Sequence, residues 1–200
     1  MENYDIKFEQ ICSTVGKNNK LLLQACCAPC SSAVLERVTP YFDVTLYFYN
    51  PNITEKGEYD KRLSELYRFV ATVYGDKVKI VDGGFNADRF FEYSKKLESE
   101  PERGARCTNC YLDRLTQAAI FAKENGFDYF GTTLTVSPHK DSLRLNTMGE
   151  KLEQEYSVKF LYSDFKKKNG YRRSIELSRE YNLYRQNYCG CIYSKKTENQ

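Results

Sequence analysis

The chain has 200 residues, 41% hydrophobic and 14% aromatic, enough to bury one sizeable core without a disulfide scaffold, so a single domain over 1–200 is expected. No run approaches the ~18 apolar residues of a membrane span, and Glu2, Asp5, Lys7, Glu9, Lys17 and Lys20 interrupt the first twenty residues, which excludes a secretory leader and points to a soluble, cytoplasmic protein without membrane contact. The net charge of +3 is uneven: residues 159–200 hold ten Lys or Arg against four Asp or Glu, a balance suited to a phosphate backbone or to a plain solvated face.

Apolar runs and amphipathic stretches alternate along the chain, the pattern of a mostly parallel sheet of about five strands with helices on both faces, an α/β fold. The first strand is expected over Lys20–Ala25, with a helix over Ser31–Val38 after Pro29. A second strand, Asp43–Tyr49, stops at Asn50 and Pro51. Beyond Thr54, Leu63, Leu66, Tyr67, Val70 and Tyr74 form one helical face, which leaves Lys61, Arg62, Glu65 and Arg68 outside it. A strand at Lys77–Val81 and a helix near Asp88–Leu97 follow. The next helix opens near Thr108 and stops at Asn125 and Gly126. The remaining elements are a strand over Phe127–Thr133, a helix over Leu143–Tyr156, a strand over Val158–Tyr162 and a helix over Ser174–Tyr184. The segments CCAPC, YNPN and TTLTVSP all follow strands, where open α/β sheets bind ligands.

Eight cysteines without a secretory signal point to metal or redox chemistry. Cys26 and Cys27 follow the first strand, and Cys107 with Cys110 form a C-x-x-C at a helix start, where the helix dipole stabilises thiolates. Structural zinc, thiol redox chemistry and iron–sulfur ligation all use such a pair. Adjacent cysteines tend to diverge, which suits a cluster whose corner irons each take one thiolate better than a single small ion. Cys30 either replaces one of these ligands, binds a further metal, or simply starts a helix. Glycine between Cys189 and Cys191 permits a tight turn, so these two form a strained, reactive disulfide or supply two more metal ligands. Cys12 reads as a buried small hydrophobe.

Taken in order, CCAPC, ERGARCTNCYLDRL, TTLTVSPHK and YRQNYCGCIYS make the chain resemble the cobalamin-independent epoxyqueuosine reductases, over about Leu21 to Ser194. The resemblance implies a Rossmann-like fold of the nucleotide-binding α/β type and a [4Fe-4S] cluster. It also implies reduction of epoxyqueuosine to queuosine at the wobble position of a tRNA with a GUN-type anticodon, the last step of queuosine biosynthesis. By motif position Cys26, Cys27, Cys107 and Cys110 become the cluster ligands, and Cys189 with Cys191 a redox-active disulfide. Some members have aspartate at the position of Cys30, where an additional mononuclear iron is held.

Losing the epoxide oxygen as water takes two electrons and two protons, whereas a cluster passes one electron at a time, so a dithiol reservoir and an external electron donor fit the chemistry. Tyr111, His139, Lys140 and Asp141 fall in the same motifs, without a signal that selects a general acid. Lys166, Lys167, Lys168, Arg172 and Arg173 are candidates for phosphate contacts, and Tyr171, Tyr181, Tyr184 and Tyr188 for base stacking. A tRNA thiolation enzyme shares fold and clustered cysteines but carries a glycine-rich phosphate loop, and QACCAPCSS has no glycine. A zinc-stabilised RNA-binding module is the rival outside enzymes, separable by metal and sulfide analysis.

Overall fold

Three consecutive leucines, Leu21, Leu22 and Leu23, are fully buried, so the strand that carries them is covered on both faces. Each contributes roughly 1.5–3 kcal/mol of apolar burial. The computed structural model describes residues 2–16 and 18–195. Five parallel strands, β1 (Lys20–Gln24), β2 (Asp43–Phe48), β3 (Val78–Asp82), β4 (Tyr129–Thr132) and β5 (Lys159–Phe160), lie in the order β3-β2-β1-β4-β5. Consecutive strands on either side of β1 are joined by helices: α2 (Ala28–Val38), α3 (Lys56–Val73), α4 (Ala87–Ser94) with α5 (Ala105–Glu124), and α6 (Ser142–Tyr156). Two further helices, α1 (Tyr4–Thr14) and α7 (Gly170–Glu180), complete the described α-helices.

Strand alternation divides the core. Leu21, Leu23, Val44, Leu46 and Phe48 pack with α1, α2 and α3 on one face, whereas Leu22, Tyr47 and Phe130 pack with α5 and α6 on the other. The chain winds first to the β2 side of β1 and then to the β4 side, so the switch point lies at the carboxyl ends of β1 and β4.

The α/β expectation holds, with differences in detail. Helix α1 lay outside the expected elements: Asn3 caps it by accepting the Asp5 N–H at 3.1 Å, and only Phe8 and Cys12 bury fully among its apolar residues, too sparse a period to read. The last strand shrinks to two residues, and the last helix starts four residues early. On α3, Arg62 is 1% exposed and Tyr67 45% exposed, the reverse of the expected faces, because Arg62 has buried partners described below.

Gly170 opens α7 directly against the Phe165 carbonyl, and a Cβ there would lie well inside contact distance of that backbone oxygen. Gly170→Ala is therefore expected to cost about 1–3 kcal/mol and lower Tm by roughly 2–12 °C in a thermal melt.

Candidate metal and redox site

At the carboxyl ends of the central strands, a buried polar network ties three loops together. Gln24 Nε2 donates to the Tyr49 carbonyl at 3.0 Å, and Gln24 Oε1 accepts from the Thr132 hydroxyl at 3.1 Å. Asn50 Nδ2 donates to the Ala25 carbonyl at 2.9 Å, and its Oδ1 accepts from Arg114 Nη2 at 2.7 Å. All four side chains are at most 3% exposed, so each unmade bond would cost about 1–3 kcal/mol. Nothing in their local spacing marks them, since their partners lie up to 108 residues away in the chain.

Cys26 leaves this network and Cys27, in extended backbone, caps α2, whose first turn carries Pro29 and Cys30. The sulfurs of Cys26, Cys27 and Cys30 all lie within 4.8 Å of one another, with Cys26 and Cys27 3.7 Å apart. Adjacent cysteines were expected to diverge; the turn into α2 makes them converge, with Cys30 as the third member. Two thiolates ~2.3 Å from one tetrahedral ion stand about 3.8 Å apart, so this trio alone suits a single ion. Hydrogen bonds from Cys27 and then Cys30 hold the Cys26 thiol well below its ordinary pKa, aided by the Arg114 and Arg62 charges. Cys27, sharing its proton with Cys26, is pushed up to about 12. Gln186 Nε2 donates to Cys27 Sγ at 2.9 Å, and Gln186 Oε1 is buried without a partner.

Cys107 and Cys110 occupy the first turns of α5, which begins at Ala105 rather than Thr108. The Arg103 N–H reaches Cys107 Sγ at 3.3 Å, and burial pushes the Cys110 thiol up. These two sulfurs stand outside the tight trio; they line a small inner chamber with Cys189 and Cys191. The chamber shares Arg114, Lys140 and Cys189 with a cavity of about 480 Å³, walled also by Cys26, Cys30 and Gln186. That volume accommodates a small ligand such as a nucleoside fragment.

Cys189 and Cys191 are free thiols, so the expected disulfide is not seen in this structure, and the other six cysteines are free as well. The Cys189 sulfur lies 2.9 Å from the oxygen of the Ser194 hydroxyl, whose proton is donated to the Cys191 carbonyl at 2.8 Å. Gly190 turns at φ +103°, with no room for a Cβ beside Ile53. Arg62 clasps this loop by donating to the Cys189 and Tyr188 carbonyls, both at 3.2 Å, while Glu58 holds its Nε at 2.7 Å. Asn52 donates to the same Cys189 carbonyl at 3.0 Å, and the Thr54 N–H to the Gly190 carbonyl at 3.2 Å. Arg62 and Asn52 thus belong to the site: Asn52 lies in the YNPN segment noted at a strand end, whereas Arg62 falls outside the apolar face read from the sequence and carried no signal.

A hydrogen bond from Cys191, then the Lys140 charge, hold the Cys189 thiol well below its ordinary pKa, and Cys191 is raised by the same bond. In metal-free, reduced protein, iodoacetamide at neutral pH is therefore expected to label Cys189 about tenfold or more ahead of Cys191, read by peptide mass spectrometry. Equal rates would contradict this assignment of the thiolate.

Among the candidates for RNA contact, Lys166 pairs with Asp164 at 2.5 Å, Lys168 with Glu9, Arg172 with Glu176 at 3.1 Å and Arg173 with Glu36 at 2.7 Å. The last three pairs are exposed and worth at most about 1 kcal/mol each, so a phosphate can compete for Lys168, Arg172 and Arg173, whereas Asp164 is buried. Tyr171 and Tyr188 line the cavity, whereas Tyr181 packs on Phe69 and Tyr184 bonds Glu58. His139 and Lys140 also line the cavity. No described helix is long and apolar enough to cross a membrane.

Among solved structures, the U34-tRNA thiolase NcsA from Methanococcus maripaludis with its [4Fe-4S] cluster superimposes with a TM-score of 0.56 at 17% identity, over 96% of this chain and 67% of that one, a likeness of fold. A family model described as epoxyqueuosine reductase QueH matches residues 21–197. The protein named epoxyqueuosine reductase QueH from Streptococcus pyogenes serotype M1 is 42% identical over 202 residues, spanning 98% of this chain and 79% of its own. Its namesake from Staphylococcus epidermidis is 40% identical over 97% of this chain and 87% of its own length. That from Thermotoga maritima is 33% identical over 87% and 89%. A match that spans both cysteine loops and the Cys-Gly-Cys turn, with relatives above 30% identity over most of both chains, leaves one conclusion: the chain belongs to the epoxyqueuosine reductase QueH family.

Proposed function

We propose that the protein is an oxidoreductase that converts epoxyqueuosine in tRNA to queuosine, the last step of queuosine biosynthesis. Family membership carries this reading, and the presence of both cysteine loops and the Cys-Gly-Cys turn in the walls of two cavities that share Arg114, Lys140 and Cys189 supports it. In the reaction both C–O bonds of the epoxide break and a C=C bond forms; two electrons and two protons enter, and the oxygen leaves as water.

We assign a [4Fe-4S] cluster to Cys26, Cys27, Cys107 and Cys110, with Cys30 left for an additional iron. The donor chemistry fits: thiols predominate, the inner chamber has no carboxylate, and buried cations surround it. When bound, the cluster would supply single electrons, and the additional iron a Lewis acid. The Cys189 and Cys191 dithiol supplies two electrons and two protons on closing to a disulfide, and an external reductant reopens it. Lys140 holds a proton at Nζ in the cavity wall, 5.7 Å from the Tyr111 ring centroid. Burial works against its charge, but Cys189, Tyr111 and Cys110 outweigh that and raise it.

The substrate is tRNA, with a GUN-type anticodon, and Lys166, Lys167, Lys168, Arg172 and Arg173 hold its phosphates. The protein acts in the cytoplasm as one domain. The test is nucleoside mass spectrometry of tRNA from cells lacking the gene, where epoxyqueuosine is expected to accumulate. Unchanged queuosine, in cells without a redundant reductase, rejects the function. Iron and acid-labile sulfide counts on anaerobically purified protein test the cofactor, since one zinc per chain without sulfide would replace it.

A further inference from the structure

The inner chamber has a one-sided charge balance. Its charged lining among the described residues consists of Arg106, Arg114 and Lys140, with no carboxylate. Arg106 and Arg114 are 4% and 3% exposed. Lys140 has only the exposed Glu102, at 3.9 Å. Arg106 spends its bonds on the Leu97 and Glu98 carbonyls and lies 4.6 Å from the Tyr193 ring. Arg114 donates to the neutral Asn50, and its Nε is buried without a partner. Elsewhere the fold pairs its buried arginine: Arg62 has Glu58 at 2.7 Å. Asp113, the residue before Arg114, points instead to Arg89 at 2.8 Å.

A buried guanidinium without a counter-ion costs several kcal/mol. The groups that share a wall with Arg114 are sulfurs: Cys110, four residues earlier on α5, in the inner chamber, and Cys26, across the switch point, in the larger cavity. Of the two cations that line both cavities, Arg114 and Lys140, Arg114 is the buried one.

We propose that Arg114 is the built-in counter-charge of the sulfur-ligated cofactor, a positioning residue that raises the cofactor's reduction potential. This rests on the iron–sulfur reading above. A cluster gains negative charge on reduction, and a fixed cation in a low-dielectric site favours the more negative state. Asn50 serves as a neutral support that orients the guanidinium without neutralising it.

The experiment is a redox titration of the anaerobically purified, cluster-loaded chain, followed by EPR, with iron and sulfide counted in each sample. Arg114→Gln is expected to lower the midpoint potential by at least about 59 mV, a tenfold loss in the ratio of reduced to oxidised cluster for a one-electron couple. Arg114→Lys, which keeps the charge, is expected to restore most of that loss. Asn50→Asp sets a carboxylate against the intact arginine and is expected to move the potential in the same negative direction. It therefore decides the matter if Arg114→Gln fails to fold or to retain iron. An unchanged potential in a variant with full iron and sulfide overturns the inference, as does a Lys variant that loses as much as the Gln variant. Absence of sulfide in the unaltered protein would instead bring down the cofactor reading, and this inference with it.

Discussion

Cys27→Ser and Cys110→Ser chains, purified without oxygen, are expected to retain iron and sulfide only at background and to lose epoxyqueuosine reduction by about 100-fold or more. Even residues behind a metal ligand change affinity or activity 10–100-fold when altered, so loss of a ligand sets a larger effect. The two substitutions probe different loops. Cys27 belongs to the trio at the start of α2, and Cys110 to the chamber beside α5. Their joint failure is expected only if both loops hold one cofactor. Cys30→Ser is the contrast: it is expected to keep sulfide and lose at most the additional iron. Should Cys30→Ser lose sulfide while Cys107→Ser and Cys110→Ser keep it, the cofactor belongs to the trio alone, and the C-x-x-C has another task.

The gathering of CCAPC, YNPN and TTLTVSP at one rim was legible because strand ends in a parallel sheet gather by topology. The convergence of Cys26, Cys27 and Cys30 was not, because it depends on the backbone between Cys27 and Ala28, which spacing alone does not report. Arg62 escaped notice for a related reason. A helical face is read by polarity, and a guanidinium buried for its carbonyl partners looks from the sequence like any exposed cation. Gln24 and Asn50 read as ordinary strand-end polar residues, since only the fold brings Thr132 and Arg114 to them.

Replacing both Cys189 and Cys191 with serine is expected to leave iron and sulfide at the unaltered level and to lower multiple-turnover reduction about 100-fold, ~2.7 kcal/mol in barrier. The asymmetry follows from how the loop is held. Arg62, Asn52 and the Thr54 N–H grip the carbonyls of residues 188–190, so sulfur plays no part in that grip and serine keeps the loop's course. What the substitution removes is the two-electron store beside the cavity. Cys189 is the sulfur of the pair that lines the larger cavity, and Cys191 is 6% exposed behind it. A thiolate at the cavity with a buried thiol behind it is arranged to close on itself once the outer sulfur has given up electrons. Retention of full multiple turnover by the double variant with an external reductant would place the second electron elsewhere and leave the Cys-Gly-Cys turn as a structural element. Loss of sulfide from that variant would instead make the turn a part of the cofactor's own ligand shell.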